Sequence, residues 1–139
     1  MNPTAINEIK RIVGGTLTIS DSGVYHPCWS FTLPNNCTAV VVCTAVAVCT
    51  SGTHAGSSTT SAYSTRFKNV GGTGGYSFYT SSNTYDGSGS GGSEWYIVAP
   101  TTLPNNAVSC AGSYQGSTSS SFNDVWNVNW IAEIFGGKF

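Results

Sequence analysis

Cys37-Thr38-Ala39-Val40-Val41-Val42-Cys43-Thr44-Ala45-Val46-Ala47-Val48-Cys49 is the stretch that decides the fold. It runs without a glycine, a proline or a charge, in β-branched and small residues. Valine and threonine are stiff at χ1 and fit a pleated surface better than a helix, so the run predicts a β-strand. Both faces of that strand are apolar, which predicts a central strand covered on both sides. Its length predicts a bulge or break near Thr44. The apolar run is far shorter than the ~20 residues a spanning helix needs, and the expectation is a protein that does not enter a membrane.

Outward from this strand the texture stays β. Residues 16–20, 25–32, 94–99 and 107–114 read as strands, and residues 76–79 as a short one. In residues 124–135, Trp126, Val128, Trp130, Ala132 and Ile134 alternate with Val125, Asn127, Asn129, Ile131 and Glu133, read as a period of two with one apolar face. That stripe reads as core, although Trp126 and Trp130 also have the spacing of a sugar-stacking platform. The middle of the chain, 51–92, reads as loop-rich, with glycine runs at 71–75 and 87–92. Thr32-Leu33-Pro34-Asn35-Asn36 recurs as Thr102-Leu103-Pro104-Asn105-Asn106, each copy leading into a strand. Proline followed by two asparagines makes a tight turn with local side-chain hydrogen bonds. Seven or eight strands with turns between them predict an all-β fold, an antiparallel β-sandwich with jelly-roll-like character. The domain spans 16–135. Residues 1–15 form a short N-terminal arm or helix, because Ile6, Ile9 and Val13 recur at helical spacing before Gly14-Gly15. Residues 136–139 form a tail.

The chain has 139 residues with five basic and six acidic side chains, a net charge of -1. A chain this neutral has no basic footprint for nucleic acid. No apolar run follows a basic start at the N-terminus, so no secretory signal is expected. Cofactor and metal signatures are lacking. The five cysteines, Cys28, Cys37, Cys43, Cys49 and Cys110, contain no CxxC pair. Cys37, Cys43 and Cys49 would share one strand face about 20 Å apart, too far to pair with one another. They are small buried hydrophobes or partners in disulfides with Cys28, Cys110 or another chain; both readings stay open.

Catalytic signals are weak. His26 and Cys28 are two apart and could share a strand face, but no orienting partner is marked. His54 lies in a Gly/Ser loop and reads as solvated. The acids are scattered singly, Asp86-Gly87-Ser88 lacks the carboxylates of a calcium loop, and Gly71 to Gly75 lacks the Lys-Ser/Thr of a phosphate loop. The expectation is a protein that is not an enzyme.

The order of motifs carries a resemblance: a Thr/Ser strand, the Leu33-Pro34-Asn35-Asn36 turn, the valine strand, a glycine-rich middle, Trp95-Tyr96-Ile97-Val98 with Pro100, then a turn into Ala107-Val108-Ser109. It resembles small β-sandwich virion structural proteins of tailed bacteriophages. The resemblance implies a capsid-decoration, collar or tail-surface subunit located in the virion. Its partners would be copies of itself and other virion proteins. An uncharged Ser/Thr/Gly surface suits close packing of many copies. Ile6, Ile9 and Ile12 in the arm, with Phe135 and Phe139 in the tail, are the expected assembly contacts. The alternative is a glycan- or receptor-binding module using aromatics at loop tips, Tyr76, Phe78, Tyr79 and Tyr85, with a host-surface glycan as partner.

Overall fold

A computed structural model describes residues 9–86, 94–116 and 123–139. Eight strands run through it: β1 (Ile9–Ile19), β2 (Tyr25–Leu33), β3 (Cys37–Ser51), β4 (Ser58–Val70), β5 (Thr73–Asp86), β6 (Glu94–Thr102), β7 (Val108–Gln115) and β8 (Val125–Lys138). They form two antiparallel sheets, a large one in the order β1-β8-β3-β4-β5 and a small one in the order β2-β7-β6. The pairs β1–β8, β2–β7 and β4–β5 nest as in a jelly roll; β3 and β6 instead lie beside β4 and β7.

The core fills the space between the sheets. Along β3 the odd positions Ala39, Val41, Cys43, Ala45 and Ala47 are buried. These small side chains leave room for large ones from the opposite sheet: Trp29, Trp95 and Tyr114 are all buried there. Trp95 meets Tyr114 edge-on at 5.1 Å, and Trp29 meets Phe67 edge-on at 6.0 Å. Trp126, Val128, Ala132 and Ile134 of β8 point inward as their alternation requires, and Trp130 packs edge-on against Trp95.

Four expectations are corrected. Residues Ile9–Gly15 are neither a helix nor outside the body; they are the first half of β1 and pair with β8 from Ile9↔Gly136 to Gly15↔Trp130. Gly14 and Gly15 serve close approach, not helix termination: a Cβ on Gly14 would sit 2.9 Å from the Trp130 carbonyl oxygen, and one on Gly15 about 3.1 Å from its ring. The middle of the chain is the long β4–β5 hairpin. It turns at Gly71 and Gly72, whose φ of +63° and +90° fit the primed turn of a two-residue hairpin. The tail is no hinge either, since Gly136, Gly137 and Lys138 pair with Ala39, Thr38 and Cys37. β3 pairs with β4 without interruption from Cys37 to Val48, and its one irregularity against β8 falls between Cys49 and Ser51, not near Thr44.

The two Leu-Pro-Asn-Asn copies meet at one end of the sandwich. Asn36, Asn105 and Asn106 take positive φ, a conformation asparagine tolerates. The fully buried Asn69 amide joins them. Its Nδ2 donates to the carbonyls of Leu33 (3.0 Å) and Asn106 (2.8 Å), and its Oδ1 accepts from the Gly72 amide at 3.0 Å. The Asn35 side chain accepts from the Gly71 amide (2.7 Å), and the Thr102 hydroxyl donates to the Gly72 carbonyl (3.0 Å). One buried amide thus locks three turns and both sheets.

Candidate functional site

The outer face of the large sheet departs from the expectation of a strand covered on both sides. Val42, Val46 and Val48 are 39–44% exposed, because no described residue covers this face of β3. Their direct ladder partners on β8 are the polar Glu133, Asn129 and Asn127, but further exposed apolar side chains lie on the same face. Ile131 of β8 lies opposite Thr44, Phe135 lies opposite Val40, and Ile12 of β1 is 67% exposed. These side chains share one pleated face spanning β1, β8 and β3 and meet on the diagonals of the ladder, with polar residues between them, a denser grouping than the single apolar residues normal for a surface.

Among the described side chains of that face, charge gathers at one end. Glu133 sits between Ile12 and Val42, Lys10 beside Phe135, and Arg66 beside Val40. At the other end Thr16, Thr18, Asn127 and Asn129 are polar and uncharged. Towards β4, Ser64, Ala62 and Thr60 are short, so the face is flat. Five strands ~4.8 Å apart and a dozen paired residues at ~3.3 Å each give a face on the order of 900 Å².

Of the expected assembly contacts, Ile12 and Phe135 lie on this face. Ile6 lies outside the described residues, and of Ile9 the described part is its backbone pairing with Gly136. Phe139 is 56% exposed, but it is anchored: its amide donates to the Asn36 carbonyl (3.0 Å) and the Lys68 ammonium lies 5.3 Å from its ring centre. The aromatics expected at loop tips sit on a strand instead. Tyr76 and Phe78 pair with Phe67 and Thr65, Tyr79 falls at a bulge, and Tyr85 pairs with Thr59. Tyr76 is 42% exposed with its ring 6.2 Å from that of the buried Phe67; the side chains of Phe78, Tyr79 and Tyr85 lie outside the described residues.

Of the disulfide reading, the pairings within one chain do not form. All five cysteines are free thiols. Cys37, Cys43 and Cys49 do share the inward face of β3, but they face no cysteine at bonding distance. Cys110 is fully buried, and burial pushes its thiol up to about 12. Cys28 bulges out of the β2–β7 ladder between Pro27 and Trp29. Burial raises its thiol to about 12 as well, and raises Cys43 to about 12 with a further push from nearby Cys28. The Cys28 thiol donates to the His26 carbonyl (3.4 Å), while the His26 ring bonds Asp21 at 2.9 Å. That arrangement does not generate a thiolate nucleophile.

His54 is not free in solvent but half-buried and paired. Its Nδ1 donates to Oδ2 of the buried Asp124 at 2.5 Å, and its backbone amide donates to Oδ1 at 2.9 Å. Burial alone would raise the Asp124 pKa, but the His54 amide and ring together hold it below the ordinary carboxylate value. The Thr53 hydroxyl adds a bond to Asn123 at 2.8 Å. Gly52, at φ +100°, lets the loop close on Asn123 and Asp124, where any side chain would collide. This pair fastens the β3–β4 connection to the start of β8. Among the described residues, no group of three or more His, Cys, Asp or Glu is placed to hold a metal ion.

No protein-family model matches the chain, and neither a curated protein nor a solved structure matches it.

Proposed function

We propose that the protein is a structural subunit that acts by packing its large-sheet face against other copies of itself. One observation carries the reading: the grouping of exposed Ile12, Val42, Val46, Val48, Ile131 and Phe135 on one sheet face. Leaving it in water forgoes roughly 25 cal/mol for each Å² of apolar surface. The face has the ~800 Å² that each partner contributes to a standard interface. Its flatness favours another flat surface, and this chain supplies one. Charge favours the same partner. In a two-fold arrangement Glu133 of each copy can face Lys10 or Arg66 of the other, as a self-complementary interface requires. The particle type, a bacteriophage capsid-decoration, collar or tail-surface subunit working alongside other virion proteins, rests on the order of motifs in the sequence alone.

The test is electron microscopy and sedimentation of the purified protein over a wide concentration range. A closed oligomer or an ordered array supports the reading. A monomer at every concentration overturns it.

A further inference from the structure

We infer that the outer face of the small sheet is a binding site for one neutral sugar ring. The inference does not depend on the assembly face, which lies on the opposite side of the sandwich.

Tyr25 on β2 and Tyr96 on β6 flank the middle strand β7, where Gln115 and Ser113 are their respective ladder partners. Their rings reach across β7 and stack, with centroids 4.2 Å apart and planes 26° from parallel. The stack explains an oddity of burial. Ser113 and Gln115 alternate with the inward Tyr114 and so face outward, yet they are only 5% and 7% exposed. The two rings roof them. The tyrosines themselves stay 47% and 42% exposed, because each uses one ring face on the other.

One step further along the strands the roof ends and a cleft opens, about 240 Å³ in volume. Pro27 and Val98 line it with apolar walls, Ala111 and Gly112 keep its floor low, and Ser30 and Ser113 bring hydroxyls. The bulge at Cys28 shapes its β2 side. At ~30 Å³ of liquid per water, the cleft holds about eight waters, the room of a single pyranose and too little for a drug-sized ligand. Among the described residues, no charged side chain lines it. Small apolar walls and hydroxyl groups, with the exposed tyrosine stack beside the cleft rather than lining it, suit a ligand with an apolar face and several hydroxyls. A neutral hexose or N-acetylhexosamine has that chemistry.

The test is saturation-transfer NMR on the full chain with the methyl glycosides of glucose, galactose and N-acetylglucosamine. Transfer to the ring protons of at least one is expected. Tyr96→Ala should weaken that binding at least tenfold, and Val98→Arg, which fills the cleft without touching the tyrosine stack, should abolish it. Tyr76→Ala, an exposed tyrosine elsewhere, should leave it unchanged. Unchanged melting temperatures show that the variants are folded. No transfer from any of the three glycosides overturns the inference, as does transfer that survives Val98→Arg.

Discussion

Replacing Asn69 with alanine should unlock one end of the sandwich. The amide is fully buried and makes three hydrogen bonds at 2.8–3.0 Å, to the carbonyls of Leu33 and Asn106 and from the amide of Gly72. Alanine leaves all three backbone groups without their partner. A buried polar group left unpaired costs about 1–3 kcal/mol. Asn106 is exposed, so water can replace part of its loss; Leu33 and Gly72 are buried and cannot be relieved this way. About 1 kcal/mol for Asn106 and about 1.5 for each of the others gives ~4 kcal/mol. That is large for a single substitution. At about 4 °C per kcal/mol for a chain of this size, it corresponds to a Tm lower by ~15 °C. Asn69→Asp keeps the acceptor but loses both donors and sets a carboxylate against two carbonyl oxygens, so it should destabilise at least as much at neutral pH. The assay is guanidinium unfolding followed by tryptophan fluorescence at one fixed protein concentration, because assembly would shift the midpoint by mass action. A loss below about 1 kcal/mol for Asn69→Ala would refute the claim that this amide locks the turns.

Other consequences are as concrete. A Cβ on Gly112 would lie 2.3 Å from the ring carbons of Trp29, which is held between Phe31 and Phe67. Gly112→Ala should therefore cost about 2–3 kcal/mol by overpacking, while Gly75→Ala, with nothing within 4 Å, should be nearly neutral in the same denaturation series. Asp124 is held below its ordinary value of 3.8, so its contribution is present above that value and lost as pH falls through the lower folded one. Stability should drop on the acid side of about pH 4, and Asp124→Asn should flatten that slope; an unchanged slope in a pH series of melts counts against the His54 pairing. Four of the five thiols are at most 2% exposed. A thiol reagent should thus modify at most Cys28 readily in the native protein and all five after unfolding without reductant, and fewer than five would mean that disulfides exist.

The strands with strict alternation were legible. Trp126 to Ile134 showed a single apolar stripe, and that stripe is core. The valine strand was legible as a strand but not as a surface. Its odd positions are alanine, cysteine and one valine, and its even positions mainly valine and threonine; composition alone makes both faces look buried. What distinguishes them is size, since only the smaller set fits opposite Trp29 and Trp95. β4 escaped detection because its inward face carries Thr59, Ser61 and Thr65, so hydrophobic period gave no signal; the threonines' β-branching was the clue that remained. β1 read as a helix because Ile9 and Val13 are four apart, a spacing that also places them on one face of a strand. The Tyr25–Tyr96 stack joins residues 71 positions apart, and only the β2-β7-β6 order brings them together. The link from Asn69 to the repeated turns was likewise beyond pattern reading, although the repeat itself marked where to look.

The most direct test of the assembly face is the solution mass of the chain beside the double variant Val46→Lys/Ile131→Lys, measured by light scattering with and without reductant. Both substitutions lie on an exposed face and fill no core space, so folding should be unaffected. The account predicts a defined oligomer for the natural sequence, unchanged by reductant because its thiols are free, and a folded monomer for the variant. An oligomer that survives both lysines would contradict it, as would a natural sequence that is monomeric throughout.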